Sequence, residues 1–415
     1  MESTQQTTVI KNATIIDGTG ADPVSNGFVV IENERIKEVG SGDSGKIPST
    51  AFTIDCRGQS LLPGLIDAHV HLGAVDANII EQQRQYFSSL LVVKTLKIMK
   101  QTLDQGFTTV RDAGGADPGL RAAVDQGLVP GPRLFVCGTA LSQTGGHADF
   151  RLPTETTPPV RGAAGLASRV CDGVDEVRRA ARDLLRQGVD HIKVMAGGGA
   201  MSPSDEIDTS QYSLDELKAV VFEAESAGTY VMAHCYSDRS ILNSVASGVR
   251  SIEHGNLLTE KSAVAMRDAG AYLVPTIVTY EMISRMGKDL GIPENNVRKI
   301  NIAREKAQDA LETAYRTGVK IASGSDLLGP MQIYKAVELE LKARVLGPMG
   351  ALVASTKTNA ELLHREDDLG TVEAGKLADM IVVNGDPLAN IDVLQRYQEN
   401  ITLIMQGGRM YKNKL

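Results

Sequence analysis

The sequence predicts an α/β fold: a (β/α)8 TIM barrel with a small β-sandwich domain that both ends of the chain form together. From residue 60 onward, short apolar strand-like segments alternate with longer segments of helical periodicity, and the flanking regions are strand-like alone. Eight such units in this length are typical of a barrel, with a doubly wound sheet as the alternative. We place the barrel at residues 60–365 and the small domain at 1–59 plus 366–415.

The small domain is predicted from strand patterns at the two ends of the chain. Three β-rich segments come first, separated by turn residues such as Gly18 and Pro23: TTVIKNATIID, FVVIENERIKEVG and AFTIDCRG. Their alternation predicts a small antiparallel unit of hairpins. LADMIVVNGDPL and ITLIMQGGRMYKN near the other end have the same character. We therefore expect them to join the first three segments in one β-domain.

The barrel strands are short apolar segments followed by turn residues. The candidates are LLPGLIDAHVHLG, FTTVRDAG, RLFVCGTAL, HIKVMAGG, TYVMAHCYS, SIEHG, YLVPTIVTY and KIASGSD. Segments such as DEVRRAARDLLRQG and SLDELKAVVFEAESAG lie between them, and each ends at a glycine, as helix C-termini often do.

Composition and charge exclude several classes of partner. The 415 residues are 42% hydrophobic and 23% charged, with a formal net charge of −8. A negative balance disfavours nucleic acid and anionic membranes, and an aromatic content of 4% without Trp disfavours base stacking. The sequence contains no run of about 18 apolar residues, the length that a membrane-spanning helix needs. The N-terminus lacks an apolar signal core, which predicts a cytoplasmic protein, or a secreted or periplasmic one if a signal peptide was removed.

Four cysteines are irregularly spaced and form no C-x-x-C pair: Cys56, Cys137, Cys171 and Cys235. This pattern favours buried free thiols over a metal site or a disulfide framework.

Histidines and one aspartate stand at the ends of predicted barrel strands. In DAHVH, His69 and His71 are two residues apart and point to the same side of the first strand. His234 ends the fifth strand, His254 the sixth and Asp326 the eighth. Each alone is also consistent with a core histidine or a helix cap. Because barrel active sites lie at the C-terminal ends of the strands, the five together predict a divalent-metal site.

Lys193 is the unexpected residue of the apolar fourth strand, VDHIKVMAGGG. A buried lysine requires a partner, and an ammonium beside metal cations would be repelled. Reaction of the neutral amine with CO2 would give an anionic carbamate, a ligand that can bridge two metal ions. The alternative is an ion pair between Lys193 and a nearby carboxylate.

The motifs DAHVH, HIKVMAGGG, MAHCYS, SIEHG and GSD resemble the amidohydrolase superfamily of the binuclear type with a carbamylated lysine. GFTTVRDAGG, GPRLFVCGTALSQTGGHAD, EHGNL and VPTIVTY resemble its Xaa-Pro dipeptidase and Xaa-Arg carboxypeptidase branch, which includes ochratoxin A amidohydrolases. The resemblance covers nearly the whole chain. It implies two divalent ions, with Zn2+ expected, and six ligand residues: His69, His71, Lys193, His234, His254 and Asp326.

Within that set, the resemblance assigns the first two histidines and the aspartate to the more buried ion. It assigns the other two histidines to the second ion and the lysine carbamate to both. Water between two such ions would lose a proton near neutral pH, because one Zn2+ already lowers the pKa of bound water to about 7. Asp326 is then the expected general base and general acid, and no serine or cysteine nucleophile is needed.

Two further residues are predicted to face the substrate. Tyr236 shares the side of the strand on which His234 lies, and His147 stands in the glycine-flanked loop TGGHAD. Tyr236 is placed to bind a substrate carbonyl or carboxylate, and both residues are expected to take part in catalysis. His191 is interpreted as a core residue and His364 as a surface residue at a helix end.

The resemblance implies a small-molecule or dipeptide substrate with a free carboxylate: an Xaa-Pro-like dipeptide, an N-acyl amino acid or ochratoxin A. It also implies a homo-oligomer, with an octamer among the forms it allows. Two other enzyme functions stay open, a hydrolase of a cyclic amide or imidazolone and a deaminase. The non-enzyme alternative is a metal-free barrel scaffold, which the intact ligand set disfavours.

Overall fold

The structure is a computed structural model that describes residues 7–42, 51–156, 165–166 and 168–415. The chain divides into two compact units. The first comprises Met1–Asp67, Lys100–Thr109 and Lys335–Leu415, and the second comprises Ala68–Met99 and Val110–Tyr334. The domain bounds drawn from the sequence stay a prediction.

The described residues form the following strands, numbered in chain order: β1 (Thr7–Ile15), β2 (Val24–Glu32), β3 (Arg35–Ser41), β4 (Phe52–Asp55), β5 (Ser60–Pro63), β6 (Leu65–Val70), β7 (Phe107–Asp112), β8 (Arg133–Val136), β9 (Ala140–Ser142), β10 (Ser168–Val170), β11 (Ile192–Met195), β12 (Val231–Ser237), β13 (Ser251–Leu257), β14 (Tyr272–Val274), β15 (Lys320–Ile321), β16 (Met380–Val383), β17 (Ile401–Gln406) and β18 (Arg409–Asn413).

The helices of the described residues are α1 (Ile79–Gln85), α2 (Ser88–Asp104), α3 (Pro118–Asp125), α4 (Gly173–Gln187), α5 (Leu214–Ser226), α6 (Asp238–Ala246), α7 (Glu260–Ala269), α8 (Ile277–Met286), α9 (Glu294–Thr317), α10 (Val337–Ala354), α11 (Lys357–Leu362) and α12 (Tyr397–Asn400). Short 3-10 helices lie at Gly329–Tyr334 and Ile391–Leu394.

One eight-stranded sheet joins the two chain ends in the first unit. Its order is β18-β17-β16-β5-β1-β2-β3, with β4 also paired to β1. β16 pairs antiparallel with β5, so the prediction of one β-domain built from both ends is confirmed. β4, from the predicted segment AFTIDCRG, lies parallel to β1, so the expectation of an antiparallel unit was wrong for this strand, and β5 is parallel to β1 as well. The intervening β2–β3 hairpin supplies the long connection that a parallel pair requires.

Strand alternation gives this sheet two apolar faces. Met380 and Val382 of β16 pack in one core cluster, while Ile381 and Val383 pack in another. Successive side chains of a strand point to opposite faces, so an unbroken apolar run is expected where both faces are covered. The second cluster also contains Leu339 of α10, which therefore covers one of the two faces.

The barrel strands, most of whose residues belong to the second unit, fall in two sheets of the orders β10-β9-β11-β12-β13-β14-β15 and β6-β7-β8. The pairs from β11 to β15 are all parallel. Further backbone bonds join the two sheets: Asp190 N–H donates to Val136 O at 2.8 Å, Ala68 N–H to Ser323 O at 2.8 Å, and Asp326 N–H to His69 O at 2.8 Å. Parallel strands with helices between them confirm the predicted fold class.

The predicted seventh strand, YLVPTIVTY, is only partly a strand. β14 stops at Val274, and α8 begins two residues beyond Pro275. Proline has no N–H for the ladder, which ends the strand, and the β-branched residues after it form a helix in spite of their strand propensity. RLFVCGTAL is likewise split into β8 and β9.

Helix ends and buried thiols agree with the sequence. Ser213 caps α5 in a reciprocal capping box with Glu216, and Gly188 ends α4 in the left-handed conformation. All four cysteines are buried and free, as predicted. Within the described residues, no helix has the length and hydropathy to cross a membrane.

Candidate metal centre and substrate cavity

His69, His71 and Asp326 come together at one end of the barrel. His69 lies on β6 and His71 directly after it. Their Nε2 atoms lie 3.6 and 3.3 Å from Oδ1 of Asp326. The donor atoms of all three residues lie within 4.8 Å of one another, which is close enough to share one metal ion.

Hydrogen bonds on the far side of each ring orient these two histidines. His71 Nδ1 donates to the carbonyl of Gly114 at 2.8 Å, and His69 Nδ1 contacts Oε2 of Glu253 at 2.6 Å. A carbonyl only accepts, so Nδ1 of His71 carries the hydrogen and Nε2 keeps its lone pair. This is how proteins orient metal-binding imidazoles.

His234 and His254 lie beside the first three residues, each at the fourth position of its strand. Their ring centroids are 4.6 Å apart, and that of His254 is 4.9 Å from that of His69. His234 Nε2 donates to the carbonyl of Gly198 at 3.1 Å, which leaves Nδ1 free. His254 Nδ1 contacts the hydroxyl of Thr276 at 2.8 Å, which leaves Nε2 free.

Burial keeps these imidazoles neutral. It lowers the pKa of His69, His234 and His254 well below the usual value for histidine, and the charge of Lys193 lowers each pKa further. The neutral form is the one that binds a metal. The chemistry of the donor set, nitrogen and carboxylate oxygen, therefore fits a divalent ion.

Lys193 is the second residue of β11 rather than its last, and its side chain still reaches the cavity. It is 1% exposed. Burial lowers its pKa, and the charges of Glu253 and Asp326 only partly oppose this effect. Among the residues that the structure describes, no carboxylate forms an ion pair with Lys193. The ion-pair alternative therefore finds no support here.

Two of the metal-type residues have an unusual backbone. His254 has φ 75° and Asp326 has φ 51°, both in the left-handed region. Residues other than glycine seldom adopt it, although asparagine, aspartate and histidine do so more often than the rest, and such positions concentrate at functional sites. The turn of the backbone directs both side chains towards the same cavity.

Tyr236 and His147, predicted to face the substrate, both line that cavity. The His147 ring stacks on His234 with centroids 4.2 Å apart, and its Nδ1 contacts the Ser202 hydroxyl at 3.1 Å. The Tyr236 ring stacks on His254 with centroids 5.2 Å apart. Burial raises the pKa of Tyr236, so its hydroxyl stays protonated and can donate a hydrogen bond.

The other two histidines are outside the site. His191 is fully buried and its Nε2 contacts the carbonyl of Asp112 at 3.1 Å, while His364 is exposed just after α11. Both sequence interpretations are confirmed.

Three residues of this region escaped the sequence interpretation: Arg111, Glu253 and Tyr280. Arg111 and Glu253 are completely buried, and they pair at 2.9 Å behind His69. Tyr280 donates a hydrogen bond to the Tyr236 hydroxyl at 3.0 Å. Arg111 could have been found by the argument used for Lys193, since it is a charge inside a predicted barrel strand, FTTVRD.

The space between the atoms that line the cavity, its open mouth included, measures about 600 Å3. Apart from the polar residues above, most of its described lining is apolar: Ile79, Phe150, Leu166, Met195, Ala200, Met201, Ile283, Ile300 and Leu328. An apolar wall with a few converging polar side chains is typical of a site for a small molecule.

Comparison with known proteins agrees with this geometry. The model of the amidohydrolase family matches residues 60–410. Ochratoxinase of Aspergillus niger is 31% identical over 428 aligned positions, which cover 98% of this chain and 86% of the relative.

Two solved structures extend the comparison. A prolidase in complex with N-methylphosphonate-L-proline is 42% identical with a TM-score of 0.95, over 98% of this chain and 100% of the other. A Xaa-Pro dipeptidase with bound methionine in its active site is 30% identical with a TM-score of 0.89, over 98% and 100%.

Proposed function

This chain belongs to the amidohydrolase family and hydrolyses carbon–nitrogen bonds, and we propose that it cleaves the amide bond to a C-terminal amino acid. Its substrates would be dipeptides of the Xaa-Pro type or N-acyl amino acids, ochratoxin A included. The observation that carries the proposal is the convergence of His69, His71 and Asp326 at the cavity. The similarity to a prolidase and to ochratoxinase supports the choice of bond.

Two divalent ions, with Zn2+ the expected identity, would be held by the six residues that line one end of the cavity: His69, His71, Lys193, His234, His254 and Asp326. When bound, the ions would supply an activated water and polarise the amide carbonyl. The burial of Lys193 supports its modification to a carbamate, because an anionic ligand there removes the repulsion of an ammonium from the ions.

The chain's own residues then orient the substrate and move protons. Asp326 would accept the proton of the attacking water at a carboxylate oxygen and deliver it to the leaving amine. Because Tyr280 donates to the Tyr236 oxygen, the Tyr236 hydrogen is left to donate to a substrate oxygen. His147, at the cavity wall, would bind the substrate carboxylate.

The proposed partner is therefore a small molecule with a free carboxylate, and not a nucleic acid or a membrane. The cavity combines a mostly apolar wall with a few converging polar side chains, as small-molecule sites do. A homo-oligomer is part of the same proposal and rests on the family resemblance.

A substrate screen combined with metal analysis tests this function. The protein, purified without chelator, is assayed on Xaa-Pro dipeptides, N-acetyl amino acids and ochratoxin A, with the released amino acid as the readout. Elemental analysis is expected to give about two divalent ions per chain, and chelation should remove ions and activity together. Full activity with one ion or fewer contradicts the binuclear site, and release of ammonia without an amino acid would indicate a deaminase.

A further inference from the structure

Lys299 of α9 is a buried lysine whose ammonium is surrounded by main-chain carbonyls. It is 0% exposed, and Nζ donates to the carbonyl oxygens of Gly199 at 3.1 Å, Ser202 at 2.8 Å and Asp205 at 2.9 Å. An ammonium has three N–H donors, so all three are used within one loop. This loop directly follows β11, the strand that carries Lys193.

Asn296 attaches the same loop one helical turn earlier. Its Nδ2 donates to the carbonyl of Ala200 at 2.6 Å. Asn296 and Lys299 are three residues apart and lie on one face of α9. Between them they satisfy four carbonyls of residues 199–205, and so fix the course of a loop rich in glycine and serine.

The attached loop and α9 together form one wall of the cavity. Ala200 and Met201 come from the loop, Ile300 from α9 next to Lys299, and Ile283 from α8. The wall is apolar. Among the described residues that line the cavity, Asp326 is the only carboxylate, and it lies with His69 and His71.

The wall also adjoins the residue proposed to bind the substrate carboxylate. Ser202 of the loop contacts Nδ1 of His147 at 3.1 Å. Gly199 packs directly against the His147 ring, because a Cβ at this glycine would lie 2.1 Å from it. The substrate carboxylate belongs to the amino acid that is released. If His147 binds this carboxylate, the side chain of the released amino acid would lie next to this wall.

We infer that this wall selects a released amino acid with an apolar side chain over one with a charged side chain, and that Lys299 is the positioning residue that holds it. The inference rests on the proposed function. The loop has a carboxylate, Asp205, but it is not among the lining residues: its Oδ2 lies 3.7 Å from Nδ1 of His147 and accepts hydrogen bonds from Gly199 N–H and Gln211 Nε2. A basic side chain would therefore lose its water at the wall without gaining a carboxylate there, whereas an apolar side chain gains from burial.

The first test compares kcat/KM for N-acetyl-L-methionine, N-acetyl-L-arginine and N-acetyl-L-glutamate on the metal-loaded protein. Methionine is expected to be preferred over both charged residues by about 100-fold or more. Equal rates for all three would overturn the inference and leave the proposed function standing. A lack of hydrolysis of every N-acyl amino acid and dipeptide would instead refute the proposed function, and the inference with it.

Variants then test the wall itself. Lys299→Met keeps the length of the side chain but removes its donors, and should lower kcat/KM for the methionine substrate by about 10- to 100-fold, mainly through KM, with metal content unchanged. Lys306→Met, at an exposed lysine of the same helix, is the matched control and should have no effect. A change in thermal stability alone, with KM and the methionine-to-arginine ratio unaltered, would refute the role of Lys299.

Met201→Glu tests the wall without disturbing Lys299, and so remains informative if Lys299→Met does not fold. A carboxylate at the wall should shift the ratio about 10-fold or more towards N-acetyl-L-arginine. An unchanged ratio in this folded variant would contradict the placement of the side chain at the wall.

Discussion

Replacing Glu253 by glutamine is expected to weaken both folding and metal binding, because Glu253 is a fully buried charge with two functions. Oε1 lies 2.9 Å from Nη2 of Arg111, and Oε2 lies 2.6 Å from Nδ1 of His69. The side chains of Glu253 and Arg111 are both 0% exposed. Glu253→Gln keeps the shape and removes the charge, which leaves the Arg111 guanidinium without its counter-ion.

The magnitudes follow from the two contacts. Breaking a buried ion pair by removing one partner costs about 3–5 kcal/mol, because the remaining charge is uncompensated. Losing the carboxylate behind a metal-binding histidine costs about 10- to 100-fold in metal affinity. A second variant in which Arg111→Met is added should recover part of the stability, because the unpaired cation is then gone.

Urea unfolding of the metal-free protein measures the first quantity, and competition with a chromogenic chelator measures the second. Asp104→Asn is the matched control: its pair with Lys100 has an N–O distance of 2.6 Å, but the side chains are 42% and 58% exposed. Exposed pairs contribute only about 0–1 kcal/mol. If Glu253→Gln is as mild as this control in both assays, the buried pair neither stabilises the barrel nor orients His69.

Three further predictions concern single side chains. Lys193→Ala should lose metal and activity together, while circular dichroism shows that the barrel is still folded. A short carboxylate added to the solution should restore part of the activity. Retention of both metal ions in this variant would refute the bridging carbamate. Tyr280→Phe should lower kcat/KM about 10-fold and Tyr236→Phe about 100-fold, with metal content unchanged in both. Both tyrosines line the cavity, but the Tyr280 hydrogen is donated to the Tyr236 oxygen, and the Tyr236 hydrogen is left for the substrate. Equal effects would contradict this order. Burial lowers the pKa of His191 from 6.5 to about 3, so on acidification the unfolded chain binds the proton before the folded protein does. The free energy of unfolding should therefore fall as the pH drops from about 6.5 to 3, by up to about 1.4 kcal/mol per pH unit. His191→Gln should flatten that slope, and an identical slope would show that other groups cause it.

The barrel could be predicted from sequence because its signals are local. Each strand candidate is a short apolar run with a turn signal after it, and strand alternation then places every second side chain on the same side. This was sufficient to expect His69 and His71 together and to notice Lys193. The structure brings these residues to one cavity with Asp326, and their roles as ligands stay predictions until metal is measured.

The buried supports of the site could not be predicted in this way. Arg111 and Glu253 are 142 residues apart, and no spacing in a single sequence shows that their side chains meet. The contact of Tyr280 with Tyr236 was missed for a different reason. The run TIVTY has strand-like residues, so the sequence placed it on β14, whereas it belongs to α8 and reaches Tyr236 from there.

The sixth strand could be recognised from the sequence, but the position of its histidine could not, because the backbone at His254 departs from a regular strand. Ordinary alternation places Glu253 and His254 on opposite faces of β13, so a regular strand could direct only one of them towards the cavity. The left-handed φ of 75° at His254, followed by Gly255 at 67°, breaks that alternation. As a result Glu253 reaches His69 from behind while His254 still lines the cavity. A regular strand would have to give up one of these contacts, so the strained turn is what allows neighbouring residues to serve as support and as ligand.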